Sequence, residues 1–344
     1  MKSLLVTALI ITVLFLVFSY VLAIPLGSLM FFSTTEGMKI SSEFYHFHIL
    51  LFFIFGFYIP VALNAGQVFL FLGALYSICL IAAWKSKESF LDVIRKGFSR
   101  PTNRLFNNFL FVLPLLTGML LTMVIGIHSL QETAGVPTGG IPPEENPVKM
   151  LLDLTYAPII EEIGFRIIPF AIFLTVYLSL VRKNSVTTSS FMQRVKLVLL
   201  AILNPDKAKR MVGVKTVSDF GVKDGITKGE WVLVILTSFI FGLAHYLSGV
   251  GWGPGKISTA FIDGLVFALT YLIYGIYAPI LLHWFFNYYL QVYSMAMDIY
   301  PTITPFYALV LLATLALGIV GWITAAFLGT RKLLGSSTSK LAHA

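Results

Sequence analysis

The apolar stretch that decides the fold reads Pro158-Ile-Ile-Glu161-Glu162-Ile-Gly-Phe-Arg166-Ile-Ile-Pro169. Ionisable side chains are costly at membrane depth, so a cluster of them inside an apolar segment indicates a functional site. On a helix, Glu162 and Arg166 are four residues apart and can form an ion pair, whereas Glu161 points about 100° away. The pattern predicts one carboxylate that is held and one that is available for chemistry.

The composition is that of a membrane protein. Of the 344 residues, 57% are hydrophobic and only 12% are charged, and the mean hydropathy is +0.87. These values predict an all-α, polytopic transmembrane helical bundle, an integral multi-pass protein that we expect in the cell membrane. The basic residues that give the net charge of +8 lie between apolar spans. They therefore indicate the topology of the spans and contact with membrane lipids. We expect no nucleic-acid partner. The single cysteine, Cys79, excludes an intramolecular disulfide.

Hydropathy predicts about eight spans. They cover about Leu4 to Phe32, His46 to Trp84, Leu105 to His128, Leu151 to Val181, Glu230 to Leu247, Ile257 to Tyr274, Ala278 to Ala296 and Pro305 to Leu328. The second of these stretches is too long for one simple span, since about 20 residues suffice. Two crossings there would make nine spans, whereas a kinked or interfacial segment around Pro60 keeps the number at eight, which we favour.

The charges between the spans predict the topology. Residues 85–104 contain six Lys or Arg, and residues 182–229 contain ten against three Asp, so both stretches should be cytoplasmic. Residues 129–149 contain three Glu and one Lys and should lie outside. The chain then divides into N-terminal spans with a basic loop (1–104), a core (105–296) that carries a basic insertion loop (182–229), and a last span with a basic tail (297–344).

Two later spans carry polar groups that can meet the carboxylates: Phe241-Gly-Leu-Ala-His245 and His283-Trp-Phe-Phe-Asn287. We predict that Glu161 acts as a general base and holds a water together with His245. His283 and Asn287, on one helical face, would donate hydrogen bonds to a developing oxyanion. The two histidines meet only if the seventh helix begins within the membrane, a break that Gly275 and Pro279 can provide.

Other interpretations of these residues stay open. Glu162 and Arg166 taken alone indicate a structural ion pair, and an intramembrane histidine often only links helices. Asp263 is expected at the polar end of the sixth span. The non-enzymatic alternatives are a transporter that uses the carboxylates and histidines as a proton or ion relay, and a membrane scaffold.

Together the three motifs resemble those of the CPBP intramembrane proteases, which include the type II CAAX prenyl endopeptidases and bacteriocin-processing enzymes. The resemblance covers about residues 105–296. It implies a membrane-embedded hydrolase in which Glu161 activates water with His245, His283 and Asn287 stabilise the oxyanion, and Glu162, Arg166 and Phe241 shape the site. It implies a peptide or protein substrate, with a prenylated CAAX-like C-terminus as the obvious one. No metal is expected to be required, and a zinc site built from Glu161, His245 and His283 is the alternative.

Overall fold

The computed structural model describes residues 2–51, 55–97, 102–142, 146–181 and 190–341, and this part of the chain is mostly helical. Seven of its helices are long and apolar enough to cross a membrane. They are Leu4–Ser33, Ala65–Trp84, Phe109–Thr133, Pro147–Val181, Lys228–Leu247, Lys256–Tyr274 and Pro301–Arg331. The predicted polytopic helical bundle is confirmed, and the protein is an integral multi-pass membrane protein.

The elements follow one another in a simple order. The helices are α1 (Lys2–Ser33), α2 (Thr35–Ser41), α3 (Ala65–Trp84), α4 (Phe90–Gly97), α5 (Phe109–Thr133), α6 (Pro147–Glu162), α7 (Ile168–Val181), α8 (Phe191–Leu203), α9 (Pro205–Met211), α10 (Val217–Gly225), α11 (Lys228–Leu247), α12 (Lys256–Tyr274), α13 (Tyr277–Trp284), α14 (Leu290–Ile299) and α15 (Thr304–Leu341). Strands β1 (Phe44–Leu51) and β2 (Phe55–Asn64) lie between α2 and α3. Two π-helical turns, Ile163–Ile167 and Phe285–Tyr289, join α6 to α7 and α13 to α14.

The long apolar stretch that begins at His46 contains one helix that is long and apolar enough to cross a membrane. Its first part forms the antiparallel hairpin of β1 and β2, and only α3 is a span. The segment around Pro60, for which we expected a kinked or interfacial structure, is thus a strand hairpin, because aromatic and branched residues dominate β1 and favour a strand. The phenol of Tyr156 on α6 accepts a hydrogen bond from the His48 N–H and donates one to the His48 carbonyl. The hairpin therefore packs beside the helix that carries the carboxylates.

The basic insertion is folded rather than a loop. From residue 190 onward it forms α8, α9 and α10, while residues 182–189 lie outside the described residues, as do Glu144 and Glu145. Within it, Lys209 is buried and its Nζ lies 3.0 Å from Oε1 and 3.1 Å from Oε2 of Glu230, at the start of α11. This buried ion pair anchors the insertion to the bundle.

The segment from Tyr277 to Ile299 is the helix at the centre of the bundle. It is not one of the seven apolar spans, and all seven residues from Ala278 to Trp284 are buried. Gly275 precedes it with φ +99°, a backbone conformation that favours glycine. The N–H of the next residue, Ile276, donates a hydrogen bond to the Leu203 carbonyl. The break predicted near Gly275 is present and lets α13 begin inside the protein.

Candidate active site

Glu161 and Glu162 end α6, at the point where the helix widens into a π turn. The N–H of Ile168 bonds to the Ile163 carbonyl, five residues back, as in a π-helix. Pro169 follows directly and has no N–H to donate, which weakens regular α-helical bonding at this point. Single π turns inside α-helices occur frequently at functional sites.

The two carboxylates occupy different environments. Oε1 of Glu162 accepts a 2.9 Å hydrogen bond from Nη1 of Arg166, and both side chains are fully buried. The side chain of Glu161 is 14% exposed to solvent. Glu162 is thus held by the arginine, whereas the side chain of Glu161 is partly exposed.

His283 on α13 lies between the two carboxylates. Its Nδ1 is 2.8 Å from Oε1 of Glu162, and its Nε2 is 3.5 Å from Oε2 of Glu161. The second π turn begins two residues later, so each of the two motifs is followed by the same helical distortion. His283 thus connects the first motif directly to the third.

The contacts of His283 limit where protons reside. A carboxylate only accepts hydrogen bonds, so Nδ1 carries the proton that faces Glu162. In a neutral imidazole, Nε2 would then present a lone pair to Oε2 of Glu161, and two lone pairs repel each other. The contact is favourable when one proton resides on either atom.

His245 reaches the same region from the end of α11. Its Nδ1 lies 2.8 Å from the Phe241 carbonyl, and since a carbonyl only accepts, Nδ1 carries the proton and the neutral ring keeps an acceptor at Nε2. The Phe241 ring lies between the two histidines, with centroids 4.6 Å from His245 and 5.7 Å from His283. The Arg166 guanidinium lies 3.9 Å from the centre of the same ring. Phe241 therefore separates the histidines and packs against the cation.

Helix α12 forms a wall of the site that the three motifs do not indicate. Phe267 stacks on His283 with ring centroids 5.2 Å apart. One turn earlier, Asp263 is 7% exposed, although the sequence places it at the polar end of a span. At Gly264 a Cβ atom would lie 3.0 Å from Nη2 of Arg166, so the glycine allows α12 to approach the guanidinium. The sequence contains one sign that Asp263 belongs to the site: it is the single acid in the apolar run from Ile257 to Tyr274.

Asn287 lies in the second π turn and is half-buried. Among the hydrogen bonds seen between described residues, none involves its side-chain amide. The structure thus leaves this amide free to bind a ligand, and its role in holding an oxyanion stays a prediction.

The buried polar atoms of this cluster are incompletely paired. Within the described residues, the buried atoms without a hydrogen-bond partner include Glu161 Oε2, Glu162 Oε2, Arg166 Nε, Arg166 Nη2 and Asp263 Oδ1. Unpaired buried polar atoms are rare in folded proteins because each carries a desolvation penalty. Their concentration in one place singles out this cluster as the candidate site for binding water or a substrate.

A zinc ion is the alternative that the sequence leaves open for this site. In the described part of the chain, no three His, Cys, Asp or Glu side chains are placed so that they could hold one metal ion. Nδ1 of His245 bonds to a backbone carbonyl and Nδ1 of His283 to a carboxylate, and both contacts leave Nε2 facing the site. The zinc site built from Glu161, His245 and His283 therefore stays an alternative prediction.

Residues 143–289 match the family model described as Type II CAAX prenyl endopeptidase Rce1-like, and this segment contains every site residue discussed above. No curated protein and no solved structure matches the chain. The match to residues 143–289 agrees with the resemblance of the three motifs to the CPBP proteases, and it indicates a membrane protease.

Proposed function

We propose that the protein is an intramembrane endopeptidase that hydrolyses a peptide bond near the membrane with a water activated by Glu161. The observation that carries this proposal is the position of His283 between a fully buried, arginine-paired carboxylate and a carboxylate that keeps 14% of its exposure. General base catalysis needs a carboxylate within reach of water and a partner that stabilises the transferred proton.

The first step is attack by water on the scissile carbonyl carbon. Glu161 accepts one proton of the water while the water oxygen bonds to that carbon, and Nε2 of His245 accepts a hydrogen bond from the other proton. The resulting tetrahedral intermediate carries its negative charge on the former carbonyl oxygen, which the Asn287 amide stabilises by donating a hydrogen bond.

The second step returns the proton. The intermediate collapses, the carbon–nitrogen bond breaks, and the proton held by the pair of Glu161 and His283 moves to the leaving amine nitrogen. Glu162 and Arg166 stay ionised throughout and fix the His283 ring through Nδ1. No step requires a metal ion.

The family match supports a peptide or protein as substrate, and a prenylated CAAX-like peptide is the first probe to use. Cleavage of fluorogenic peptides, prenylated and unprenylated, is measured with purified protein in nanodiscs, with and without a chelator. Wild type is compared with Glu161→Gln and with Asp298→Asn, which changes an exposed acid at the end of α14.

We expect chelator-resistant cleavage by wild type and by Asp298→Asn, and loss of cleavage in Glu161→Gln. Cleavage that survives in Glu161→Gln would overturn the assignment of the base, and cleavage abolished by the chelator and restored by zinc would overturn the metal-independent mechanism.

A further inference from the structure

A cleft of about 560 Å³ lies where two apolar spans end and the basic insertion packs onto them. The span α3 contributes Ala82, two residues before its end, and the span α12 contributes Ile273, one residue before its end. Helix α9 of the insertion completes the lining. We call this cavity the basic cleft after four of its lining residues: Lys85, Lys87, Lys207 and Arg210.

The four cations of the basic cleft come from two separate parts of the chain. Lys85 and Lys87 follow the end of α3, whereas Lys207 and Arg210 lie on α9. Among the residues that the structure describes, no ion pair involves any of the three lysines. The fold thus brings together like charges that it does not itself neutralise.

Two acids lie near these cations, and both are engaged elsewhere or by one partner. Asp206 lines the cleft, but its two carboxylate oxygens accept hydrogen bonds of 2.6 and 3.1 Å from the N–H groups of Val217 and Ser218. Asp219 pairs with Arg210, with 2.9 Å between Oδ1 and Nη2. The acids neutralise one of the four cations directly, so the cleft keeps a surplus of positive charge.

Lys87 is held against an aromatic side of the cleft. Its Nζ lies 5.3 Å from the centre of the Tyr274 ring. Tyr274 is fixed in turn, because its carbonyl accepts a hydrogen bond from the Asn204 amide and its hydroxyl donates one to the Phe106 carbonyl. Partial burial lowers the pKa of the Lys87 ammonium, since desolvation disfavours the charged form. A bound anion would offset this cost.

The chemistry of the lining favours a phosphate group as that anion. Arginine presents a planar set of donors that matches phosphate oxygens, and lysine supplies compact charges that bind the same group. The volume lies within the ~300–1,000 Å³ that is typical of sites for small molecules, so the cleft has room for more than an inorganic ion.

The position of the cleft favours a lipid as the source of the phosphate. The ends of membrane spans lie at the level of the lipid head groups, and basic pockets between spans bind anionic head groups. Ala82 and Ile273 add apolar surface from the two spans beside the lysines. One amphipathic molecule can therefore contact both kinds of surface.

We propose that the basic cleft binds the phosphate head group of an anionic phospholipid from the surrounding membrane. The phosphate contacts the lysines that follow α3 and the cations of α9 at the same time, so a bound lipid ties the insertion to the bundle. In its absence the two sets of cations repel each other. The proposal concerns a site outside the catalytic cluster and does not depend on the proposed function.

The test compares melting temperatures of the full-length protein in nanodiscs of phosphatidylcholine alone and of phosphatidylcholine mixed with phosphatidylglycerol. A ligand that binds only the folded state raises the melting temperature. The cleft variant carries Lys87→Gln and Lys207→Gln, one lysine from each part of the chain. The matched control carries Lys196→Gln and Lys223→Gln, which removes two exposed lysines of the insertion that do not line the cleft.

We expect phosphatidylglycerol to raise the melting temperature of wild type and of the control, and the cleft variant to lose this rise. In phosphatidylcholine alone the cleft variant should melt no lower than wild type, because the substitutions relieve repulsion. The inference would be overturned if wild type does not respond to phosphatidylglycerol, if the cleft variant responds as wild type does, or if the control loses the rise equally.

A soluble phosphate is the other source of the same chemistry. Inorganic phosphate and glycerol 3-phosphate are therefore added separately to wild type in phosphatidylcholine nanodiscs, where we expect neither to reproduce the rise. A rise from either compound that equals the one from phosphatidylglycerol would assign the cleft to a soluble ligand and overturn the lipid. The measurement needs no peptide cleavage, so its failure is distinct from a failure of the proposed function.

Discussion

Two buried ion pairs in the described part of the chain differ in how completely their polar atoms are hydrogen-bonded. In the insertion, Nζ of Lys209 contacts both oxygens of Glu230 and the Gly225 carbonyl, and Oε2 of Glu230 also accepts the Thr227 N–H. In the site, Arg166 and Glu162 share one 2.9 Å contact, and atoms of both side chains have no partner within the described residues.

This difference separates structural from functional charge. A buried ion pair stabilises a fold when its geometry is good and its remaining hydrogen bonds are satisfied. A buried polar network with unpaired donors and acceptors costs stability. We therefore expect a protein to keep such a network where a bound molecule supplies the missing hydrogen bonds. We therefore expect changes to the insertion pair to affect stability and changes to the site pair to affect chemistry.

The largest effect on stability is expected from Lys209→Met. The substitution leaves the Glu230 carboxylate buried without its cation, and breaking a buried pair in this way costs about 3–5 kcal/mol. Thermal unfolding in nanodiscs measures it. In the double variant Lys209→Met with Glu230→Gln, which removes both charges, most of this loss should be recovered, and a double variant as unstable as the single one would contradict the account.

Arg166→Met should reduce activity most among the site-shaping residues. It removes the cation that holds Glu162, and with it the anchor of His283, so the imidazole loses its orientation. We expect kcat to fall by about 100-fold or more, within the range of a general acid–base contribution. Peptide cleavage under saturating substrate measures kcat, and an unchanged kcat with only a lower melting temperature would make the pair structural.

Gly264→Ala tests the close approach of α12 to the guanidinium. The added methyl would lie 3.0 Å from Nη2 of Arg166 and from the Ser238 side chain, so a neighbour must move, at a cost of about 1–3 kcal/mol. Gly126→Ala is the matched control, because a Cβ there meets no atom within 4 Å. That control should stabilise α5 slightly, and equal behaviour of the two variants would contradict the packing described for Arg166.

Asp263→Asn should have the smallest effect. The change removes a buried charge whose Oδ1 has no partner among the described residues, so stability should stay the same or rise slightly. If the carboxylate supports the charge balance of the site, kcat falls by about 10-fold, which corresponds to about 1.4 kcal/mol. A melting temperature lowered by several degrees with unchanged kcat would instead make Asp263 a structural residue.

The features that the sequence predicts are local ones. The spans follow from runs of apolar residues, and the contact of Glu162 with Arg166 follows from a spacing of four on a helix. The break at Gly275 was also predictable, because glycine and proline interrupt helices in characteristic ways. In each case the information lies within one segment of the chain.

The features that the sequence does not predict depend on distant contacts. The β-hairpin before α3 was taken for part of an apolar span, since hydropathy does not distinguish a strand from a helix in a short apolar run. Asp263 becomes part of the site because α12 packs against the π turn after Glu162, and the pairing of Lys209 with Glu230 joins an insertion to a span. None of these partners can be identified from spacing along the chain.

The comparison of the two carboxylates Glu161 and Glu230 tests the central claim most directly. Glu161→Gln and Glu230→Gln are purified together, and each is measured for peptide cleavage per folded molecule and for thermal unfolding. The account predicts that Glu161→Gln loses cleavage by about 10³-fold and keeps its melting temperature, whereas Glu230→Gln keeps cleavage and unfolds at a clearly lower temperature. Full cleavage by Glu161→Gln, or loss of cleavage in folded Glu230→Gln, would contradict it.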